Sequence, residues 1–238
     1  MGSKAVLLTD GFLKARRQFE FSHTFCQITS DDKFTLLATS GTIAALGERG
    51  GGISITTQAA DNAEGTAVMN VKPALIAASK PILFAATLQF AEAATSAANV
   101  LAGLHSGAIA DALGDNGAGP PASYSGIAFF KVDGSLNWQI ELAVGTTHTT
   151  VELTAGNSLD KTAHVAGSSS YQLLEIEVLP KTSALADVIF KIDDVVVYKV
   201  TDWTFTSSVA MAPCAVVKAG SGTAEVMKLR RIDFAQVI

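Results

Sequence analysis

The chain has 238 residues, 48% of them apolar and only 16% charged, with a formal net charge of −5. That balance supplies a large core and excludes a broad phosphate-binding surface, so nucleic acid is not an expected partner. Cys26 and Cys214 are the only cysteines, too few for a disulfide framework or a zinc site.

Residues 1–32 show no sustained periodicity and are expected to form an N-terminal arm ahead of a single body over 33–238. Phe19, Phe21, His23 and Phe25 alternate as a short strand, which suits an arm that packs on a neighbour or wraps its own domain. The chain's one basic cluster, Lys14, Arg16 and Arg17, reads as a solvated tail or as a dock for an acidic partner. Nothing at the N-terminus has a signal-peptide pattern. The most apolar stretch, Ala67 to Phe90, is broken by Lys72, Pro73, Lys80 and Pro81, so no membrane span is expected.

Strand signals then follow one another along the body. Phe34 to Thr39 reads as the first strand; the run Gly50–Gly52 reads as a turn before Ile53 and Ile55. Val68–Val71, Ile82–Phe90 and Val100–Leu104 are further strands, with a short helix or a loop over Ala91–Ala98. Ala112 to Ser125, rich in glycine and proline, is a long loop.

The clearest pattern spans Gly126 to Val144, a hairpin around Asp133-Gly134. Leu136, Trp138, Ile140, Leu142 and Val144 are expected on a core face, and Ser135, Asn137, Gln139 and Glu141 in water. Alternation resumes over Thr147–Leu153, Leu174–Val178, Val188–Ile192 and Val196–Val200, the last two joined by an Asp193-Asp194 turn, with Val195 and Val197 expected to point outward. A slip in register between Leu229 and Ile232 predicts a β-bulge at Arg230-Arg231. The fold class is therefore all-β, an antiparallel β-sandwich.

Three stretches resemble the concanavalin A-like lectin/glucanase (laminin-G-type) jelly roll. They are Leu173–Val178, the hairpin Val188–Tyr198 with Asp194 where that fold usually has Gly, and the closing strand Ala224–Gln236. A second resemblance, in Ser40–Thr42, Gly51–Thr57 and Ala60–Asn62, with Phe84–Leu104 following, is to accessory virion proteins of tailed bacteriophages. It implies a capsid cement or decoration protein on the exterior of the virion, made in the host cytoplasm. Such a protein would bind the major capsid protein as a homo-oligomer, without cofactor or catalysis. Lys14, Arg16, Arg17, Phe19, Phe21 and Trp203 are then the candidate contact residues. The alternative is a lectin-like module that binds a surface glycan, with Asp111, Asp115, Asn116 and Trp203 at its site.

Reaction chemistry finds little support in the residues. Glu175 and Glu177 share a strand face, as two acids of a retaining glycosidase must, but no third acid or aromatic cleft adjoins them. They read as an exposed polar face opposite Leu174, Ile176 and Val178. Asp111, Asp115 and Asn116 offer oxygen ligands for calcium but match no ligand spacing and are common turn formers. His148 shares its strand face with Glu152, and no nucleophile accompanies the four histidines. Trp138 falls in the core register, whereas Trp203 is the better candidate for an exposed stacking surface.

Overall fold

The computed structural model describes residues 33–38, 41–92, 97–107, 112–206 and 208–237, together with the backbone of 18–24. Their strands, in chain order, are β1 (Gln18–Thr24), β2 (Phe34–Ala38), β3 (Thr42–Ala45), β4 (Ile53–Thr56), β5 (Glu64–Met69), β6 (Ala74–Leu75), β7 (Ile82–Ala91) and β8 (Ala98–His105). They continue as β9 (Tyr124–Lys131), β10 (Gln139–Gly145), β11 (Thr147–Glu152), β12 (Gln172–Pro180), β13 (Leu185–Ile192), β14 (Val195–Thr204), β15 (Ala210–Ala219) and β16 (Val226–Val237). Sheet I runs β14-β13-β12-β7-β16-β4-β3, with β1 also beside β16; sheet II runs β11-β10-β9-β8-β15-β5-β2, with β6 also beside β15. Among the described residues these strands pair antiparallel throughout. Among the described residues no helix is long and apolar enough to cross a membrane.

Alternation along the strands decides which side chains fill the space between the sheets. Phe84, Leu88, Ile176, Val188 and Phe190 of sheet I face Ile127, Phe129, Ile140 and Leu142 of sheet II, all buried in one cluster. Phe129 meets Phe190 edge-to-face across the sandwich at 5.3 Å, and Trp138 meets Phe90 in the same way at 5.7 Å. Each such ring, removed from water, contributes roughly 1.5–3 kcal/mol. The Trp138 indole N–H donates to Gln172 Oε1 at 3.1 Å, so its polar edge is satisfied in the core as well.

The β12–β13–β14 series forms as the alternation predicts, and the bulge falls between Leu229 and Arg231 of β16. Asp193 and Asp194 make a tight two-residue turn with φ of 51° and 68°. Two left-handed residues match the twist of the flanking strands, so Asp at the usual Gly position does not lengthen the turn. The short strand over Phe19 and Phe21 also forms, its backbone paired with β16 from Gln18 opposite Val237 to Thr24 opposite Arg231. Lys14, Arg16 and Arg17 lie outside the described residues, as do 93–96 in the segment read as a short helix or loop.

Four expectations need correction. The second arm of the lead hairpin starts at Gln139, not Ser135, because Leu136 to Trp138 bond to 164–166 instead of to β9. Leu136 is consequently 54% exposed. The strand read over Val68–Val71 is β5 and ends at Met69. Val197, read as outward, is fully buried: the register shift opposite Phe190/Lys191 turns it inward, while Val195 stays 47% exposed. Finally, the polar face of the hairpin is not in water. Residues 112–123 lie over the outer face of sheet II, and Glu141 there is only 3% exposed.

Candidate functional site

Pairing in sheet II brings the outer-face side chains of four strands into one patch. Glu141 of β10 stands opposite Thr150 of β11, and Ala143 stands opposite His148. Tyr124 of β9 and His105 of β8 reach the same patch one strand further in, each next to Gly126 or paired with it. Gly126 is required there, because a Cβ on it would sit 2.4 Å from the Tyr124 ring and 2.7 Å from Leu104 O.

Glu141 is the hub. Its Oε1 accepts the Tyr124 hydroxyl at 3.1 Å and lies 2.7 Å from His148 Nδ1; its Oε2 accepts the Thr150 hydroxyl at 3.0 Å. His148 Nε2 lies 3.2 Å from both Ala122 O and Gly145 O, which ties the covering loop to the sheet. The Tyr124 ring stacks on His105 at 4.5 Å. Burial, and secondly the Lys72 charge, pull the His105 imidazole down to about 4, so that ring is neutral at physiological pH. Burial likewise raises the Tyr124 phenol, with the Glu141 carboxylate adding to it. Beside this hub lies a cleft of about 270 Å³, walled by Gly117–Pro120 of the loop and floored by Phe130, Gln139, Glu141, His148 and Thr150.

The other end of the loop is held by a buried cation. Lys218 of β15, 1% exposed, donates from Nζ to Leu113 O at 2.9 Å and to Asp115 Oδ1 at 2.5 Å. Asn116, at φ 54°, donates its backbone N–H to Asn62 Oδ1 at 3.0 Å. The Asp115 carboxylate, proposed as a calcium ligand, is thus engaged by an ammonium, and Asp111 lies outside the described residues. Among the described residues no three His, Cys, Asp or Glu side chains gather as a metal cage.

The remaining candidates lie elsewhere. Trp203 sits on β14 at the edge of sheet I, partly buried against Phe205 in a narrow crevice with Ile76, Val144 and Met211. Ser125, the last residue of the glycine-rich loop, lines that crevice too, while Gly117–Pro120 wall the separate cleft beside Glu141. Glu175 and Glu177 share the outer face of sheet I, where Glu177 accepts from Lys191 at 2.5 Å. Contrary to the exposed face expected, Glu175 is buried, and that burial raises its carboxyl. His148 pairs with Glu141, not with Glu152, which instead accepts from Asn137 at 2.8 Å and Ser135 at 3.2 Å. Burial pushes the Cys214 thiol up to about 12, leaving it unreactive. Of Phe19 and Phe21, the backbone lies in β1.

Sequence reasoning missed Glu141 and Tyr124 as site residues. The available signal was a carboxylate in the outer register of a hairpin that follows a long glycine-rich loop, two features read separately.

No protein-family model matches the sequence, and no curated protein does either. Solved structures do match in fold. A protein of unknown function from Shewanella oneidensis MR-1 superposes with TM-score 0.61 at 15% identity, covering 94% of this chain and 88% of its own. Peanut lectin matches with TM-score 0.59 at 13% identity over 93% and 98% of the two chains. An endo-1,3-beta-glucanase from Streptomyces sioyaensis matches with TM-score 0.61 at 11% identity over 92% and 96%. The neighbours thus include a lectin and a glucan-acting enzyme built on one scaffold, and the chain has the concanavalin A-like lectin/glucanase fold.

Proposed function

We propose that the chain is a non-catalytic structural protein of a phage particle, a cement or decoration protein that binds the exterior of the assembled shell. One observation carries the non-catalytic part: the acids of the candidate site are engaged by the protein itself. Glu141 meets three side chains and Asp115 meets Lys218, so the outer face of sheet II is used to hold its own loop. Glu175 and Glu177 lie on the outer face of the other sheet, with Glu177 tied to Lys191.

The phage context is supported by the resemblance over residues 40–62. Exposed aliphatic side chains at Leu136, Leu159, Val165 and Val195 offer contact area for the major capsid protein or for sister copies in a homo-oligomer. The mechanism is mass action: a protein that binds only the assembled shell stabilises it. Lys14, Arg16 and Arg17 would supply an arm that reaches a neighbour. Its deletion should stop before Gln18, since β1 covers one edge of β16. Removal of residues 1–17 should abolish co-sedimentation with shells; unchanged occupancy would refute the arm's role.

A second reading is favoured by the cleft of about 270 Å³, whose Gln139 and Thr150 suit a hydroxylated ligand such as a surface glycan. A glycan array distinguishes the two, because a cement protein gives no saturable sugar binding. Turnover on a panel of polysaccharides would contradict both.

A further inference from the structure

β11 is an open edge of sheet II. Leu153 N–H bonds Trp138 O at 2.8 Å, which sets the phase of the ladder: Val151, Thr149 and Thr147 bond across to Ile140, Leu142 and Val144 of β10. Antiparallel strands bond alternate residues to each neighbour, so the backbone groups of His148 and Thr150 point away from the sheet. Among the described residues nothing bonds their N–H or C=O groups on that side. Glu152 O, also outward, accepts from Thr154 N–H and from Asn157 Nδ2, which closes the far end of the edge.

An unpaired edge is a template for another strand, and proteins guard it with charge, a bulge or a cover. β14, the edge of sheet I, has all three: Lys199, a register shift opposite Phe190/Lys191, and Leu159 N–H on Val197 O at 2.9 Å. From Thr147 to Val151, β11 has no Lys, Arg, Asp, Glu or Pro and no bulge.

The strand is also complementary to itself. Turned about a two-fold axis at Thr149, it sets His148 opposite Thr150 of a second copy, and Thr150 opposite that copy's His148. These are the residues whose backbone faces outward, so each opposed pair exchanges N–H···O bonds in both directions. Thr149 meets its own equivalent at the axis and Thr147 meets Val151, with no like charges facing. Leu159, in the loop that follows β11, is 53% exposed and adds apolar area.

We propose that β11 is where two copies of this chain join, pairing antiparallel about Thr149 so that sheet II runs unbroken through both. The outer face is shared across such a pair, so each copy's Thr150 stands beside the other's His148. Both residues floor the cleft of about 270 Å³, and the two clefts adjoin at the axis. The pairing gives the homo-oligomer of the proposed function its contact surface; it rests on that part of the reading and not on the shell.

Sedimentation velocity of the full chain alone, over a dilution series, reads the pairing, whereas pelleting with shells reads the cement role separately. The chain should sediment as a dimer. Thr149→Lys sets two ammonium groups face to face and should weaken the dimer by about tenfold or more, with an unchanged thermal melt. Thiols read the register. Directly opposed residues of a non-hydrogen-bonded pair lie within disulfide reach, so Thr149→Cys should cross-link two copies under mild oxidation, and Thr147→Cys should not. Both are made with Cys26→Ser, since the other native thiol, Cys214, is buried. A parent chain that is monomeric at every concentration, an undisturbed Thr149→Lys dimer, or equal cross-linking of the two cysteine variants would overturn the proposal. So would a monomer whose shell binding is lost in Thr149→Lys, which would put a capsid strand on β11 instead.

Discussion

The Tyr124 hydroxyl donates to Glu141 Oε1 at 3.1 Å, between a buried ring and a buried carboxylate on neighbouring strands. Tyr124→Phe removes one donor of the hub while keeping the ring on His105. The fold should lose about 1.5–3 kcal/mol, the usual contribution of a hydrogen bond to a charged group. Urea denaturation of the single variants and of Tyr124→Phe/Glu141→Gln measures it. The double variant should cost less than the sum of its parts, and strict additivity would mean the two groups are not coupled.

At the β13–β14 turn the two aspartates predict opposite outcomes. Asp194, at φ 68°, pays a conformational cost that glycine lacks, so Asp194→Gly should stabilise by about 0.5–1 kcal/mol. Asp193 Oδ1 accepts the Leu173 N–H at 2.8 Å, and Asp193→Gly forfeits that bond. Thermal melts of the two variants should therefore move apart, with Asp194→Gly the higher.

His105 makes the fold sensitive to acid. Its folded value, about 4, lies below the ordinary 6.5, so the folded state prefers the neutral ring. Stability from this residue is full above pH 6.5 and falls as the pH drops toward 4, by on the order of 3 kcal/mol. His105→Gln should flatten this stretch of the stability curve. Equal slopes for variant and parent between these pH values would contradict the assignment.

Gly103 allows β8 and β9 to approach each other. A Cβ there would lie 2.4 Å from Ile127 O and 2.6 Å from Ala128 Cα, both backbone atoms. Gly103→Ala should cost about 1–3 kcal/mol through overpacking, read as a lowered urea midpoint.

A strand with one wet face is plain in the sequence, whereas one covered on both faces shows only as a continuous apolar run, as over Ile82–Phe90 and Val100–Leu104. β13 alternates buried Ala186, Val188, Phe190 and Ile192 with less buried neighbours, and its pattern is plain. β15, from Ala210 to Ala219, is central to sheet II and went unread: the covered outer face lets Cys214 and Val216 be as buried as Ala215 and Val217. It also contains Pro213, which ordinarily argues against a central strand.

The same cover explains the site. Glu141 alternates as a solvent-facing residue should, and only the loop that folds back over sheet II, joined through Lys218 and His148, makes it a buried hub. Those contacts span 103 and 26 residues of sequence, beyond the reach of local periodicity. The tight aspartate turn and the β16 bulge, by contrast, are local and were legible.

Co-sedimentation with assembled phage shells tests the central claim most directly. The account predicts saturable pelleting at a fixed ratio to the major capsid protein, lost on removal of residues 1–17. A chain that stays in the supernatant at every shell concentration, while binding a glycan saturably, would contradict it.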